Sequence, residues 1–321
     1  MVNSERQVVV IARVLLPAGR DRLAERFDLR EGGHDATRAD VLAIAPGASA
    51  LVADPSMPVD GELLDAAGQQ LKVVANFAVG YDNVDLDACR ERGVVVTNTP
   101  DVLTEATAEL ALGLTLAAAR RMSDAERDLR TGRWQGWDPV AYRGIEIWGS
   151  TIGVVGMGRI GHRYARLAHG IGAEIVYAGP NAKPVAERDL GARRVEFDEL
   201  LEVADVVSLH APATPETRGL IGAREVELIG PEGVLVNTSR GPLVDSEAVA
   251  AALEEGKLGA AGLDVYENEP EVSPRLLEAP RCVLLPHIGS ATIPSRDGMA
   301  SAVADNVIAV LEGRDPPGRV A

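Results

Sequence analysis

Short apolar runs rich in β-branched residues alternate with segments of helical periodicity along almost the whole chain. Residues 8–15 read as a strand and 17–27 as a helix opened by Pro17, whose fixed φ suits a first helical turn. Helices are predicted at 37–45, 60–67 and 85–92, with strands at 50–53, 71–75 and 94–98. Gly93 stands where the third of these helices must end in a left-handed residue. An Ala/Leu-rich helix follows at 104–121, and then 131–150, which holds all three tryptophans among several glycines and reads as an irregular connection. A second series begins at Thr151, with strands at 151–155, 174–178, 205–209, 233–237, 260–265 and 282–285 and a last helix at 294–311. Near-continuous apolar strands separated by helices predict parallel sheets covered on both faces. The fold class expected is α/β, as two doubly wound parallel-sheet domains (Rossmann- and flavodoxin-like) with a cleft between them.

Composition narrows the function. Of the 321 residues 46% are hydrophobic, enough for a packed core, and the length suits two domains. A formal charge of −16, with no Lys/Arg-rich block to offset it, disfavours nucleic acid and anionic lipid as partners. Cys89 and Cys282 form neither a disulfide framework nor a metal-ligand spacing, so both are expected as buried thiols, with no metal site. The polar N-terminus carries no leader-like apolar run, and the apolar stretch at 110–119 is too short to span a membrane. A cytoplasmic location is expected.

Gly156-Met157-Gly158-Arg159-Ile160-Gly161 fits G-x-G-x-x-G between a strand and a helix. There Gly156 makes a tight turn, Gly158 admits a pyrophosphate close to the backbone, and Gly161 permits close packing. The helix N-terminus adds positive partial charge. About 20 residues on, an NAD site has an Asp or Glu for the ribose 2′-hydroxyl. Here the strand runs instead into Ala178-Gly179-Pro180-Asn181-Ala182-Lys183, without a carboxylate and without an Arg. Asn181 and Lys183 are candidate 2′-phosphate contacts, which favours NADP(H) with NAD(H) possible.

Three polar residues follow predicted strand ends, the edge at which open α/β sheets bind ligands: Arg240, Glu269 and His287. Arg clamps a carboxylate and polarises a carbonyl, His donates a proton, and Glu holds the His charged and oriented. His34, His162 and His169 read as surface positions, while His210 ends a strand and borders the expected cofactor.

The sequence resembles the D-isomer-specific 2-hydroxyacid dehydrogenases, nearest to the glyoxylate/hydroxypyruvate reductases. The resemblance runs through residues 76–83, 97–104, the glycine motif, 235–241, 261–265 and 286–292. It implies that Arg240, Glu269 and His287 are the catalytic set and that the Val79-Gly80 backbone receives the substrate carboxylate. Asp264 matches a position near the nicotinamide carboxamide, and Thr238, Pro212 and Gly289 match further cofactor contacts. It also implies a substrate domain of 1–98 plus 290–321 around an inserted dinucleotide domain of 99–289, and a homodimer. A tryptophan like Trp137 can reach a partner's active site in this subgroup. Asn76 stands where phosphoglycerate dehydrogenases carry Arg, Val79 where phosphite-oxidising relatives carry Lys, and little chain follows His287 for a regulatory domain. The expected activity is NAD(P)H-dependent reduction of a small 2-keto acid. A broader D-2-hydroxyacid dehydrogenase and a non-catalytic, dinucleotide-sensing corepressor-like protein are the alternatives.

Overall fold

Parallel strands buried on both faces need no polar alternation, and the central strands here have none: each residue of Ala48–Ala53, Val73–Asn76, Val206–Leu209, Val234–Asn237 and Ala260–Leu263 is buried. The computed structural model describes residues 6–321 and divides them into two units. One comprises the described residues up to Leu103 together with Ser290–Ala321, the other Thr104–Gly289. Residues 99–103 thus belong with the first unit.

The first unit carries β1 (Val8–Ile11), β2 (Asp28–Glu31), β3 (Ala48–Ala53), β4 (Val73–Asn76) and β5 (Val95–Thr97), all parallel in the order β2-β1-β3-β4-β5. β2 was not expected, because its sequence Asp-Leu-Arg-Glu has no buried residue and an edge strand needs none. β1 is shorter than its apolar run: Leu15 is buried without belonging to the sheet. An apolar run does not distinguish a strand from a buried loop. The last helix, Ile293–Leu311, is capped by the Thr292 side chain and returns to this unit.

The second unit carries β6 (Thr151–Val155), β7 (Glu174–Ala178), β8 (Arg193–Arg194), β9 (Val206–Leu209), β10 (Val234–Asn237), β11 (Ala260–Leu263) and β12 (Cys282–Leu284). Their order is β12-β11-β10-β9-β6-β7-β8. Renumbered from its first strand this is the 3-2-1-4-5-6 order of the dinucleotide fold with one strand added, and the order reverses between β6 and β9. β8, two exposed arginines, gave no strand signal in the sequence. The helix expected at 104–121 spans Thr104–Ala119, and a second one, Met122–Arg130, follows it. Arg121 between them has φ 53°, a left-handed turn that breaks the first. The second buries no residue, so no apolar periodicity announced it. Residues 131–150 contain neither helix nor strand.

Candidate active site

In the second unit the chemistry-bearing residues gather at the carboxyl ends of the strands, where the backbone leaves the sheet. After β6, Gly156 has φ 94°, and a Cβ there would lie 2.8 Å from the backbone of His210 and Ala211, which leave the adjacent β9. A Cβ on Gly161 would come within 2.2 Å of the Gly156 carbonyl oxygen. Gly158 differs: nothing stands within 4 Å of its Cβ direction, and it precedes helix Arg159–Gly170 with no side chain capping the first turn. Two glycines are therefore required by the protein itself. The third leaves open space beside uncapped N–H groups, which suits an anion.

The end of β7 is pinned from beneath. The Tyr177 hydroxyl donates to Glu187 (2.6 Å) and accepts the Lys183 N–H (2.7 Å), which fixes the 179–183 loop that holds exposed Asn181 and half-buried Lys183. The segment itself contains no Arg, but one reaches it from the neighbouring strand. Arg194, opposite Tyr177 in β8, donates from Nε (3.2 Å) and Nη2 (2.9 Å) to the Gly179 carbonyl, and from Nη2 to that of Pro180 (3.2 Å). It stands sixteen positions after Ala178, so only the sheet register reveals it.

His210, after β9, bonds through Nε2 to the Ser208 hydroxyl at 2.9 Å and packs against Tyr164, with ring centroids 4.9 Å apart. Loss of water around the ring pushes its pKa down to about 3, so it is a neutral imidazole. His162 is not simply a surface residue: its Nε2 is buried without a partner. Pro212 is exposed, and its carbonyl accepts from Thr217.

The loop after β10 is built by Asn237, which sequence reasoning passed over. Its Oδ1 accepts from the Ser239 N–H and hydroxyl, and its Nδ2 donates to the Arg240 carbonyl at 2.9 Å. Thr238 Oγ1 is buried and has no partner. Arg240 is half-buried and donates from Nη1 to the Ser239 carbonyl at 2.7 Å.

Asp264, fully buried after β11, spends both oxygens on one loop: Oδ1 accepts the Ile288 N–H and Oδ2 the Gly289 N–H, each at 2.8 Å. Its own carbonyl accepts the His287 N–H at 2.9 Å. Burial raises the Asp264 carboxyl above its usual range, against the pull of those N–H groups and of the His287 charge. This clamp holds His287 at φ 54°, a left-handed conformation that costs a non-glycine residue energy and persists only where surroundings impose it. His287 Nδ1 then meets Glu269 Oε2 at 2.7 Å, while Glu269 Oε1 accepts the Tyr266 N–H at 3.0 Å. Burial works to raise the Glu269 carboxyl, but the bonds from His287 and Tyr266, aided by the His287 and Arg240 charges, hold it below its ordinary range. It is a carboxylate at neutral pH, so Nδ1 carries the proton it receives and Nε2 is the working nitrogen of a partly exposed ring.

In the first unit, Val79 and Gly80 follow β4. Asn98 Nδ2 holds the Val79 carbonyl and Asn76 Nδ2 the Gly80 carbonyl, both at 2.8 Å, and Asn83 ties Asn76 to the carbonyls of Asp54 and Met57. The Val79 and Gly80 N–H groups meet no protein acceptor among the described residues. Asparagines at strand ends were the available signal for this scaffold, and it was not used.

Trp137 is 85% exposed, in a segment of the second unit that also exposes Met122, Leu129, Trp134, Val140 and Trp148. No group of His, Cys, Asp and Glu able to hold a metal occurs among the described residues. The orphaned Thr238 hydroxyl, the open Gly158 and the uncapped helix fit a bound dinucleotide.

Residues 112–289 match the model of the D-isomer specific 2-hydroxyacid dehydrogenase NAD-binding domain. The chain is 47% identical over 275 residues to the glyoxylate reductase of Thermococcus litoralis, covering 84% of this chain and 83% of that one. A solved structure from Thermus thermophilus superimposes with a TM-score of 0.92 at 42% identity, covering 98% of this chain and all of the other. The NADPH-dependent glyoxylate/hydroxypyruvate reductase of Sinorhizobium meliloti, solved with NADP and malonate, gives a TM-score of 0.88 at 36% identity over 99% of this chain and 97% of that one.

Proposed function

Because the chain belongs to the D-isomer-specific 2-hydroxyacid dehydrogenase family, we propose that it reduces glyoxylate or hydroxypyruvate to the 2-hydroxy acid, with NADPH preferred over NADH. The single observation that carries the chemistry is the His287–Glu269 bond on a histidine clamped in a left-handed conformation beside Arg240. When bound, the reduced nicotinamide supplies a hydride to the keto carbon. His287 Nε2 delivers a proton to the developing alkoxide, and Glu269 keeps the ring oriented and its charge compensated. Arg240 offers a planar fork to the carboxylate and the carbonyl oxygen, and its charge stabilises negative charge growing on that oxygen. The N–H groups of Val79 and Gly80 are assigned to the substrate carboxylate.

Gly156, Gly158, Arg159, Ile160 and Gly161 are assigned to the pyrophosphate, with Thr238, Pro212 and Gly289 as further contacts. Asp264 is assigned to the nicotinamide carboxamide end, and its two oxygens also hold residues 288 and 289 through their N–H groups. Asn181 and Lys183 are assigned to the 2′-phosphate end. The exposed apolar segment around Trp137 is assigned to a second copy of the chain, because an exposed patch of this kind is a docking surface. Cys89 and Cys282 are free buried thiols, in keeping with a reducing cytoplasm. Steady-state kinetics with glyoxylate, hydroxypyruvate, pyruvate and bulkier 2-keto acids, each with NADPH and NADH, test the assignment. A higher kcat/KM for a bulky keto acid than for glyoxylate and hydroxypyruvate overturns it.

A further inference from the structure

We propose that Arg194, an edge-strand residue remote in sequence from the glycine motif, recognises the adenosine 2′-phosphate of NADP(H) and sets the cofactor preference. The proposal rests on the NADP(H) reading above and extends it to a residue that the linear segment does not contain. In this fold the ribose 2′-position is met at the carboxyl end of the strand that follows the glycine motif. That strand is β7, ending at Ala178, and the guanidinium of Arg194 lies directly against the carbonyls of the next two residues, Gly179 and Pro180.

Its placement is fixed rather than chosen by a flexible stem. β8 pairs with β7 so that Arg194 stands opposite Tyr177, and Tyr177 ties down the same loop through Lys183 and Glu187. Most arginines of this acidic chain that make side-chain bonds spend them on carboxylates, as Arg20, Arg38 and Arg275 do. Arg194 instead binds only carbonyl oxygens, and its Nη1 protons meet no acceptor among the described residues. A carbonyl orients a guanidinium without neutralising it, so the full positive charge is kept where the loop opens. Glu187, in the helix that follows the loop, is bound to the Tyr177 hydroxyl.

The surroundings have the same sign. His162, in the first turn of the helix after the glycine loop, is held below its usual range first by burial and then by the Arg166 charge, with Arg163 and Lys183 acting alike and Asp189 opposing. Gly179 leaves open space where a side chain would stand. A phosphate dianion there gains a charge-assisted bond from Nη1, whose direction the carbonyl bonds of the other two nitrogens fix.

The test is equilibrium binding of 2′,5′-ADP and 5′-AMP by calorimetry, which needs neither substrate nor turnover. Wild type is expected to bind 2′,5′-ADP the more tightly. In Arg194→Gln that affinity falls roughly 10- to 100-fold, the loss of charge-assisted hydrogen bonds, while 5′-AMP affinity and Tm stay as in wild type. Arg194→Lys recovers only part of it. If wild type does not discriminate the two ligands, the NADP(H) reading falls and this assignment with it. If wild type discriminates but Arg194→Gln keeps the preference, the NADP(H) reading stands and Arg194 is excluded. Loss in Lys183→Gln alone likewise excludes Arg194.

Discussion

Replacing Glu269 by Gln keeps the side chain's shape and its ability to accept from Tyr266, and puts a neutral amide NH2 in place of the charged acceptor that faces His287 at 2.7 Å. Two unit charges about 4 Å apart attract by about 4 kcal/mol at an effective dielectric near 20. The Glu269 side chain is 34% exposed and that of His287 38%, so solvent screens much of this attraction. The sign follows from the chemistry. Glu269 is held below the usual carboxylate range, so it is charged throughout neutral pH and favours the protonated ring. Reduction uses the protonated acid and declines as pH rises, while oxidation of the hydroxy acid uses the neutral base and declines as pH falls. In Glu269→Gln kcat/KM for reduction therefore falls the more the higher the pH, while oxidation is spared at low pH. The assay is kcat/KM against pH in both directions for wild type and variant, at saturating cofactor. An unmoved limb, with activity merely scaled down, refutes the claim that Glu269 tunes the acid.

Four further outcomes are expected. Arg240→Lys retains the charge but loses the planar fork, and kcat/KM for the keto acid falls by roughly 10² or more with little change in cofactor affinity, measured by steady-state kinetics and cofactor titration. Gly158→Ala leaves Tm unchanged, since nothing stands within 4 Å of the added Cβ, yet weakens NADP binding by calorimetry; Gly161→Ala, whose Cβ meets the Gly156 carbonyl oxygen, lowers Tm as well. His210→Gln leaves the pH limbs where they are, because a ring pushed down to about 3 is already neutral across the working range; a shifted limb makes His210 a titrating participant. Ala178→Asp moves preference toward NADH in paired kinetics with the two cofactors, by adding an acceptor for the 2′-hydroxyl and a repulsion for the 2′-phosphate.

What the sequence made legible is what burial makes repetitive. β6 and β7 stand at the residues read from their apolar runs, because a central parallel strand has no face to leave polar. The glycine loop was legible for a related reason: Gly156 and Gly161 are forced by the protein's own backbone, so the motif is fixed whatever the ligand. Edge elements carry no such signature. β2 and β8 expose their residues, and helix Met122–Arg130 buries none, so propensity alone had to declare them and did not. Arg194 was hidden by the same cause, since its approach to Gly179 is a consequence of the β7–β8 register. Asp264 was matched to the cofactor, and the two backbone N–H groups its carboxylate also accepts were not foreseen. Such a hydrogen-bond account is closed by tertiary contacts and cannot be read from spacing.

The charge of −16 and an anionic substrate and cofactor stand in apparent conflict, and distance resolves it. Near physiological salt the screening length is about 8 Å, so acids on distant faces contribute little to a ligand's binding energy. The second unit offers an uncapped helix start, the Arg194 guanidinium held by carbonyls, Lys183 and Arg240. Carboxylates within reach are committed: Glu187 to Tyr177, Glu269 to His287 and Asp264 to the 288–289 amides. Glu269 alone of these faces an ionisable base, while Glu187 and Asp264 keep their charge and act by fixing the loops that carry the basic groups. The long-range field retains one role, in encounter: it slows the approach of anions at low salt, where screening is weak. Raising ionic strength from a low value therefore speeds association of the anionic keto acid while weakening its grip once bound.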